Sequence, residues 1–169
     1  MFSTQLVLNS STYSSAGFSI VWKRSNTEYA DLSSYSGLCL TYKADRPFRV
    51  DFKQSSITDY NFHGVVLPAQ DTFVAKFIDF ANLEQEGGWG EKVALDLTRQ
   101  QGVQINYKEG IATSLEESDA NRLKNVITVS AVSLGDCDEP VVEDSLVVLA
   151  PYNKAQQVTI KIEDRKSVV

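Results

Sequence analysis

Apolar and polar residues alternate with a period of two along much of the chain. In residues 48–53, Phe48, Val50 and Phe52 share one face, and Arg49, Asp51 and Lys53 share the other. Residues 38–43 repeat this, with Leu38, Leu40 and Tyr42 opposed to Cys39, Thr41 and Lys43, and residues 17–23 set Phe18, Ile20 and Trp22 against Ser19, Val21 and Lys23. Successive side chains of a strand point to opposite faces, so the pattern predicts sheets with one buried and one wet face. Further strands are predicted over 3–8, 64–67, 72–78, 103–107 and 126–134. Pro47, Pro68, Pro140 and Pro151 fall at the edges of apolar runs, where a missing N–H breaks no ladder. Many short strands separated by Ser-, Asn-, Asp- and Gly-rich connectors predict an all-β, antiparallel two-sheet sandwich or a barrel.

Helical periodicity is sparse, and one or two short helices are expected. Residues 91–100 can form one with Val93, Ala94 and Leu97 inward. Ser114 and Glu117 have the spacing of a capping box, supported only by Leu115 and Leu123. After Cys137 the composition turns acidic around Pro140. Two β-prone runs, 145–150 and 157–162, then flank Pro151-Tyr152-Asn153-Lys154, which reads as a hairpin connection. The expected division is a sandwich over 1–138 and a hairpin appendage, or the start of a following segment, over 139–169.

Composition narrows the function. The 169 residues suffice for one domain with a sizeable core, and a 43% hydrophobic, 22% charged composition is that of a globular protein. A net charge of −6, from 16 basic and 22 acidic residues, argues against nucleic acid or an anionic membrane surface as partner. No apolar run approaches the roughly 18–20 residues that span a bilayer. Residues 1–9 lack the basic and apolar regions of a signal peptide, leaving a cytoplasmic protein or one whose leader lies outside this chain.

Candidate chemistry is scarce. His63 is the single histidine, which excludes a two-histidine metal site, and a loop histidine is more often a surface residue than a general base. No spacing singles out a carboxylate pair for glycoside hydrolysis. Gly87-Gly88-Trp89-Gly90 lacks the lysine and flanking elements of a phosphate loop. No cofactor is called for; Asp136-Cys137-Asp138-Glu139 has oxygen ligands of the type a structural calcium ion takes, although a solvated acidic linker is the commoner role for such a run. Asn9-Ser10-Ser11 fits the glycosylation sequon. Cys39 and Cys137, in no metal-ligand spacing, fit either two buried thiols or one disulfide.

Four stretches in order carry a resemblance. Ser36-Gly37-Leu38-Cys39-Leu40-Thr41-Tyr42 is similar to a "GLCV-x-Y" strand. Phe77-Ile78-Asp79-Phe80, Gln85 and Gly88-Trp89-Gly90 are similar to "W-x-D-F…Q-x-G-W-G", with Phe77 where Trp is usual and a longer spacing before the glycines. Val103-Gln104-Ile105-Asn106-Tyr107 is similar to "I-Q-F-x-F", and residues 126–137 to a closing strand ending in Gly and Cys. Together, over residues 16–138, they resemble the jelly-roll, galactose-binding-like, carbohydrate-binding-module-like domains of secreted proteins from fibre-degrading bacteria. The resemblance implies a jelly-roll sandwich, a Cys39–Cys137 disulfide, and an extracellular or cell-surface location. It also implies a noncatalytic module for plant cell-wall polysaccharide or oligosaccharide, joined to other domains or serving as accessory to a larger enzyme. A structural or adhesive module of the same fold without a sugar site is the alternative.

For a sugar site, Arg49 and Asp51 stand on one strand face and Gln104 and Asn106 hold matching positions on another. If the strands share a sheet, the four make a polar floor able to bond hydroxyls. Tyr60, in the loop before His63, is the preferred stacking aromatic. Trp89, between glycines, is expected to fold inward as a plug, and Tyr107 and Trp22 belong by parity to the core.

Overall fold

The computed structural model describes residues 2–8, 15–22, 28–108, 124–137, 150–152 and 158–162, the last two segments through their backbone. Its strands are β1 (Phe2–Val7), β2 (Ser15–Val21), β3 (Gly37–Ala44), β4 (Phe48–Gln54), β5 (His63–Leu67), β6 (Gln70–Asp79), β7 (Gln100–Lys108), β8 (Lys124–Leu134), β9 (Ala150–Tyr152) and β10 (Val158–Ile162). They form two five-stranded sheets, ordered β10-β1-β8-β3-β6 and β5-β4-β7-β2-β9, with every pairing antiparallel. With β10 and β9 set aside, the remaining four strands of each order, 1-8-3-6 and 5-4-7-2, are the two halves of a jelly roll.

The alternation seen in the sequence sets the core. Leu38, Leu40 and Tyr42 of β3 and Ile127 of β8 face Phe48, Val50 and Phe52 of β4, Ile105 of β7 and Phe18 of β2, all fully buried. Tyr42 meets Phe48 edge-to-face at 5.0 Å and donates its hydroxyl to the Pro68 carbonyl at 3.0 Å, so a phenol sits in the core without an orphaned O–H. Tyr107 is 1% exposed, as its parity predicts, whereas Trp22, just past β2, is only partly buried against the core. Cys39 and Cys137 form a disulfide with Cα atoms 4.9 Å apart. It ties the chain leaving β8 back to β3, beside a turn in which the Gly135 N–H donates to the Gly37 carbonyl at 2.9 Å.

Two expected elements take another form. Over 91–100 there is no α-helix; a single 3-10 turn, Leu97–Arg99, is capped by Asp96, and the matching turn Phe80–Asn82 is capped by Asp79. Asp96 bonds its own Thr98 N–H, a local bond that favours a turn over a continuing helix. The 145–162 region is not a hairpin in its described part: β9 extends one sheet alongside β2 and β10 extends the other alongside β1. Pro151 lies within β9, at a sheet edge where a strand proline is tolerated. The 145–149 stretch, the sequon at Asn9 and the Ser114–Glu117 spacing lie outside the described residues.

Candidate functional site

Register brings the four predicted polar residues together. Arg49 pairs with Asn106 and Asp51 with Gln104 across β4 and β7, so all four stand on the outward face of one sheet. Beyond them Asp51 pairs with Gly64 of β5 and Gln104 with Ser19 of β2. The expected wet face is not wet here. Arg49, Asp51, Gln104 and Asn106 are 7%, 2%, 1% and 3% exposed. Alternation identifies residues that share a face, but not what lies upon that face.

Arg49, Asp51 and Asn106 are bound to one another, and Arg49 also to loop carbonyls. Asp51 accepts from Arg49 Nε and from Asn106 Nδ2, each at 2.6 Å. Arg49 Nη2 donates to the carbonyls of Glu84 at 2.7 Å and Phe62 at 3.3 Å. Burial pushes the Asp51 carboxyl above the usual carboxylate range, against the downward pull of Arg49, Lys108 and Asn106. Gly64 is required beside this pair, because a Cβ there would run into the Val50 carbonyl and the Asp51 carboxylate. Gln104 Nε2 and Asn106 Oδ1 are buried without a hydrogen-bond partner among the described residues.

Above the buried pair lies a more accessible one. Glu86 Oε2 is 3.1 Å from Lys108 Nζ, with side chains 28% and 22% exposed. Glu86 Oε1 lies 3.9 Å from Arg49 Nε, and Lys108 Nζ lies 4.0 Å from Asp51 Oδ2. Two cations and two anions thus alternate around one cluster whose formal charges cancel. Glu86 Oε2 also accepts the Trp89 indole N–H at 3.2 Å, and Trp89 is 44% exposed. The expected inward plug is therefore an outward-facing ring anchored by its polar edge. Its neighbours Gly88 and Gly90 have φ of +83° and +71°, a left-handed backbone that glycine adopts without a steric penalty.

The loop carrying Trp89 is fastened to the β4–β5 loop. Asn61 Nδ2 donates to the carbonyls of Trp89 at 2.7 Å and Glu86 at 3.0 Å, while its Oδ1 accepts from the Glu86 N–H at 2.9 Å. Asp59 accepts from the Asn61 N–H at 3.0 Å and the Glu91 N–H at 2.6 Å, and these bonds hold its carboxyl below the usual range. Gln85 donates to the carbonyls of Asn61 and Glu91 and accepts from the Val93 N–H. Tyr60 projects between the two anchors, 60% exposed, with its ring edge-to-face with Phe62 at 6.3 Å. The stretch singled out from sequence acquires a physical content: Asp79 caps, Phe80 fills the core, Gln85 ties the loop, and the glycines present Trp89.

His63 lies at the end of β5, paired with Phe52, and is 7% exposed rather than a surface residue. It borders a depression of about 420 Å³ lined by Leu83, Glu84, Gln85, Lys92, Val93 and Ala94. Burial first, then Lys92 and Arg49, lower its pKa. Among the described residues no group of three acidic, histidine or cysteine side chains is placed to hold a metal, and Asp138 and Glu139 lie outside them. Glu86, Lys108 and the exposure of Trp89 escaped sequence reasoning. The signal available for them was positional only, Lys108 continuing the parity of Gln104 and Asn106. Comparison with known protein families, with curated proteins and with solved structures finds no match.

Proposed function

We propose that this domain is a noncatalytic carbohydrate-binding module of an extracellular or cell-surface protein, recognising plant cell-wall polysaccharide. The observation that carries the reading is Trp89: an exposed ring fixed through its indole N–H to Glu86, itself paired with Lys108. A sugar ring needs an apolar face to stack on and nearby charged groups to bond its hydroxyls, and this arrangement offers both. The jelly roll and the motif resemblance point the same way. The disulfide favours an oxidising compartment. It also occupies both cysteines, and the buried carboxylate Asp51 is already engaged by Arg49 and Asn106, which supports a binding rather than a reacting role.

The four-residue floor takes a supporting part in this reading. Arg49 lies 3.9 Å from Glu86 and Asp51 lies 4.0 Å from Lys108, beneath the more accessible pair, and Asn106 bonds Asp51. Their burial is also the observation that favours a structural or adhesive module without a sugar site. Electrophoresis through gels containing soluble β-glucan, xylan or mannan separates the two. Retarded migration in at least one gel, lost in Trp89→Ala, is expected. Unretarded migration of the wild-type protein in all of them would leave the structural reading standing.

A further inference from the structure

The depression of about 420 Å³ at the start of β5 is walled by His63 and by the 83–85 and 92–94 stretches. That volume falls within the range of small-molecule pockets, about 300–1,000 Å³. Its walls are fixed in advance. Gly64 and Glu84 exchange backbone bonds at 3.0 and 3.2 Å, and Arg49 Nη2 donates to the Glu84 carbonyl at 2.7 Å. Gln54 Nε2 donates to the Ala94 carbonyl at 2.9 Å, and Gln85 Oε1 accepts the Val93 N–H at 2.9 Å. One wall group is left unsatisfied. His63 is 7% exposed, and its Nδ1 is buried with no hydrogen-bond partner among the described residues. The ring bonds the Val93 backbone, and since Nδ1 has no partner that bond is made by Nε2. Burial, with Lys92 and Arg49 nearby, favours the neutral ring, so Nε2 holds the proton and Nδ1 is a bare acceptor. A donor brought to a buried, unpaired acceptor relieves the cost of its desolvation.

Two exposed residues of opposite charge, Glu84 and Lys92, border the same depression. They form no ion pair with each other, and neither side chain has another ion-pair or hydrogen-bond partner among the described residues. A simple anion drawn to Lys92 meets Glu84, and a simple cation drawn to Glu84 meets Lys92. A molecule carrying both charges complements both. Leu83, Val93 and Ala94 add apolar surface between them and the ring of His63. We propose that this depression binds a small zwitterion, an α-amino acid with an aliphatic side chain. Its ammonium group donates to His63 Nδ1 and faces the Glu84 carboxylate, its carboxylate faces Lys92, and its side chain lies against Leu83, Val93 and Ala94. Walls already held by hydrogen bonds lose little freedom on binding, which favours affinity.

His63 is the single histidine, so its ring resonances report on this depression without ambiguity. The test follows them by NMR as the protein is titrated with leucine, leucinamide, N-acetylleucine or glycine. Leucine is expected to shift the His63 signals saturably. Leucinamide, N-acetylleucine and glycine, lacking the free carboxylate, the ammonium or the side chain, should each bind about tenfold or more weakly, about 1.4 kcal/mol. Lys92→Ala and Glu84→Gln should each weaken leucine binding by a similar factor. Both change exposed side chains and leave the wall bonds in place, so their melting temperatures should match the wild type. His63 signals unmoved by leucine would overturn the proposal. Leucinamide binding as tightly as leucine, or full affinity in Lys92→Ala, would refute the carboxylate contact and with it the zwitterion. N-acetylleucine binding as tightly as leucine, or full affinity in Glu84→Gln, would refute the ammonium contact in the same way. Glycine binding as tightly as leucine would refute the aliphatic side chain. None of these results depends on a sugar site, so the carbohydrate reading stands or falls separately in the polysaccharide gels.

Discussion

Removing the Asp51 carboxylate tests the buried cluster most directly. Asp51→Ala takes away the acceptor for two 2.6 Å bonds, from Arg49 Nε and Asn106 Nδ2, at a site 2% exposed. Breaking a buried ion pair by deleting one partner costs about 3–5 kcal/mol, chiefly because the other charge is left uncompensated. Arg49 keeps the Glu84 and Phe62 carbonyls, and Glu86 lies 3.9 Å away, which places the loss near the lower end, about 3 kcal/mol. In a chain of this length that is a fall in Tm of about 6–12 °C. Asp51→Asn should cost less. Its amide can still accept from Arg49, and a turned Asn106 amide would offer its unpartnered Oδ1 to the new N–H. The double variant Arg49→Met, Asp51→Leu should recover most of the stability, since an apolar pair of similar volume commonly replaces a buried ion pair without loss. Urea unfolding followed by tryptophan fluorescence measures all three. A loss below about 1 kcal/mol for Asp51→Ala, or a double variant as unstable as the single one, would refute a desolvated, mutually dependent pair.

Two other outcomes are expected. Replacing Cys39 and Cys137 by serine opens a loop spanning 98 positions and should lower stability by about 4–5 kcal/mol on the chain-entropy account, read as a shift of the urea midpoint; an unchanged midpoint would contradict it. His63 should make stability fall on acidification. Its folded pKa lies below the unfolded value near 6.5, so its contribution is fully present above that pH and is lost as pH drops from there through the folded pKa. Melting curves between pH 8 and 5 should show this slope reduced in His63→Gln, and an identical slope in both proteins would exclude His63 as its source.

Much of the sandwich was legible in the sequence because burial on one face of a sheet enforces a period of two. The inward sets Leu38, Leu40, Tyr42 and Phe48, Val50, Phe52 follow from that period alone, as does the membership of Tyr107 in the core. The shared face of Arg49, Asp51, Gln104 and Asn106 was legible for the same reason, once β4 and β7 were taken as neighbours.

Tertiary structure decided everything that depends on what lies against a face. Asp51 reads as a solvated carboxylate in sequence, yet it meets Asn106 across 55 positions and Arg49 is closed over by carbonyls of Glu84 and Phe62. Trp89 reads as a plug because flexible glycines permit that, and only the bonds from Asn61 and Glu86 turn it outward. The 145–162 region reads as one hairpin because its two runs are adjacent in sequence, but β9 and β10 take edges of different sheets. Local patterning reports how a residue is oriented within its own strand. The pairing of charges, the exposure of a ring and the choice of a sheet edge are set by segments distant in sequence, so no local pattern contains them.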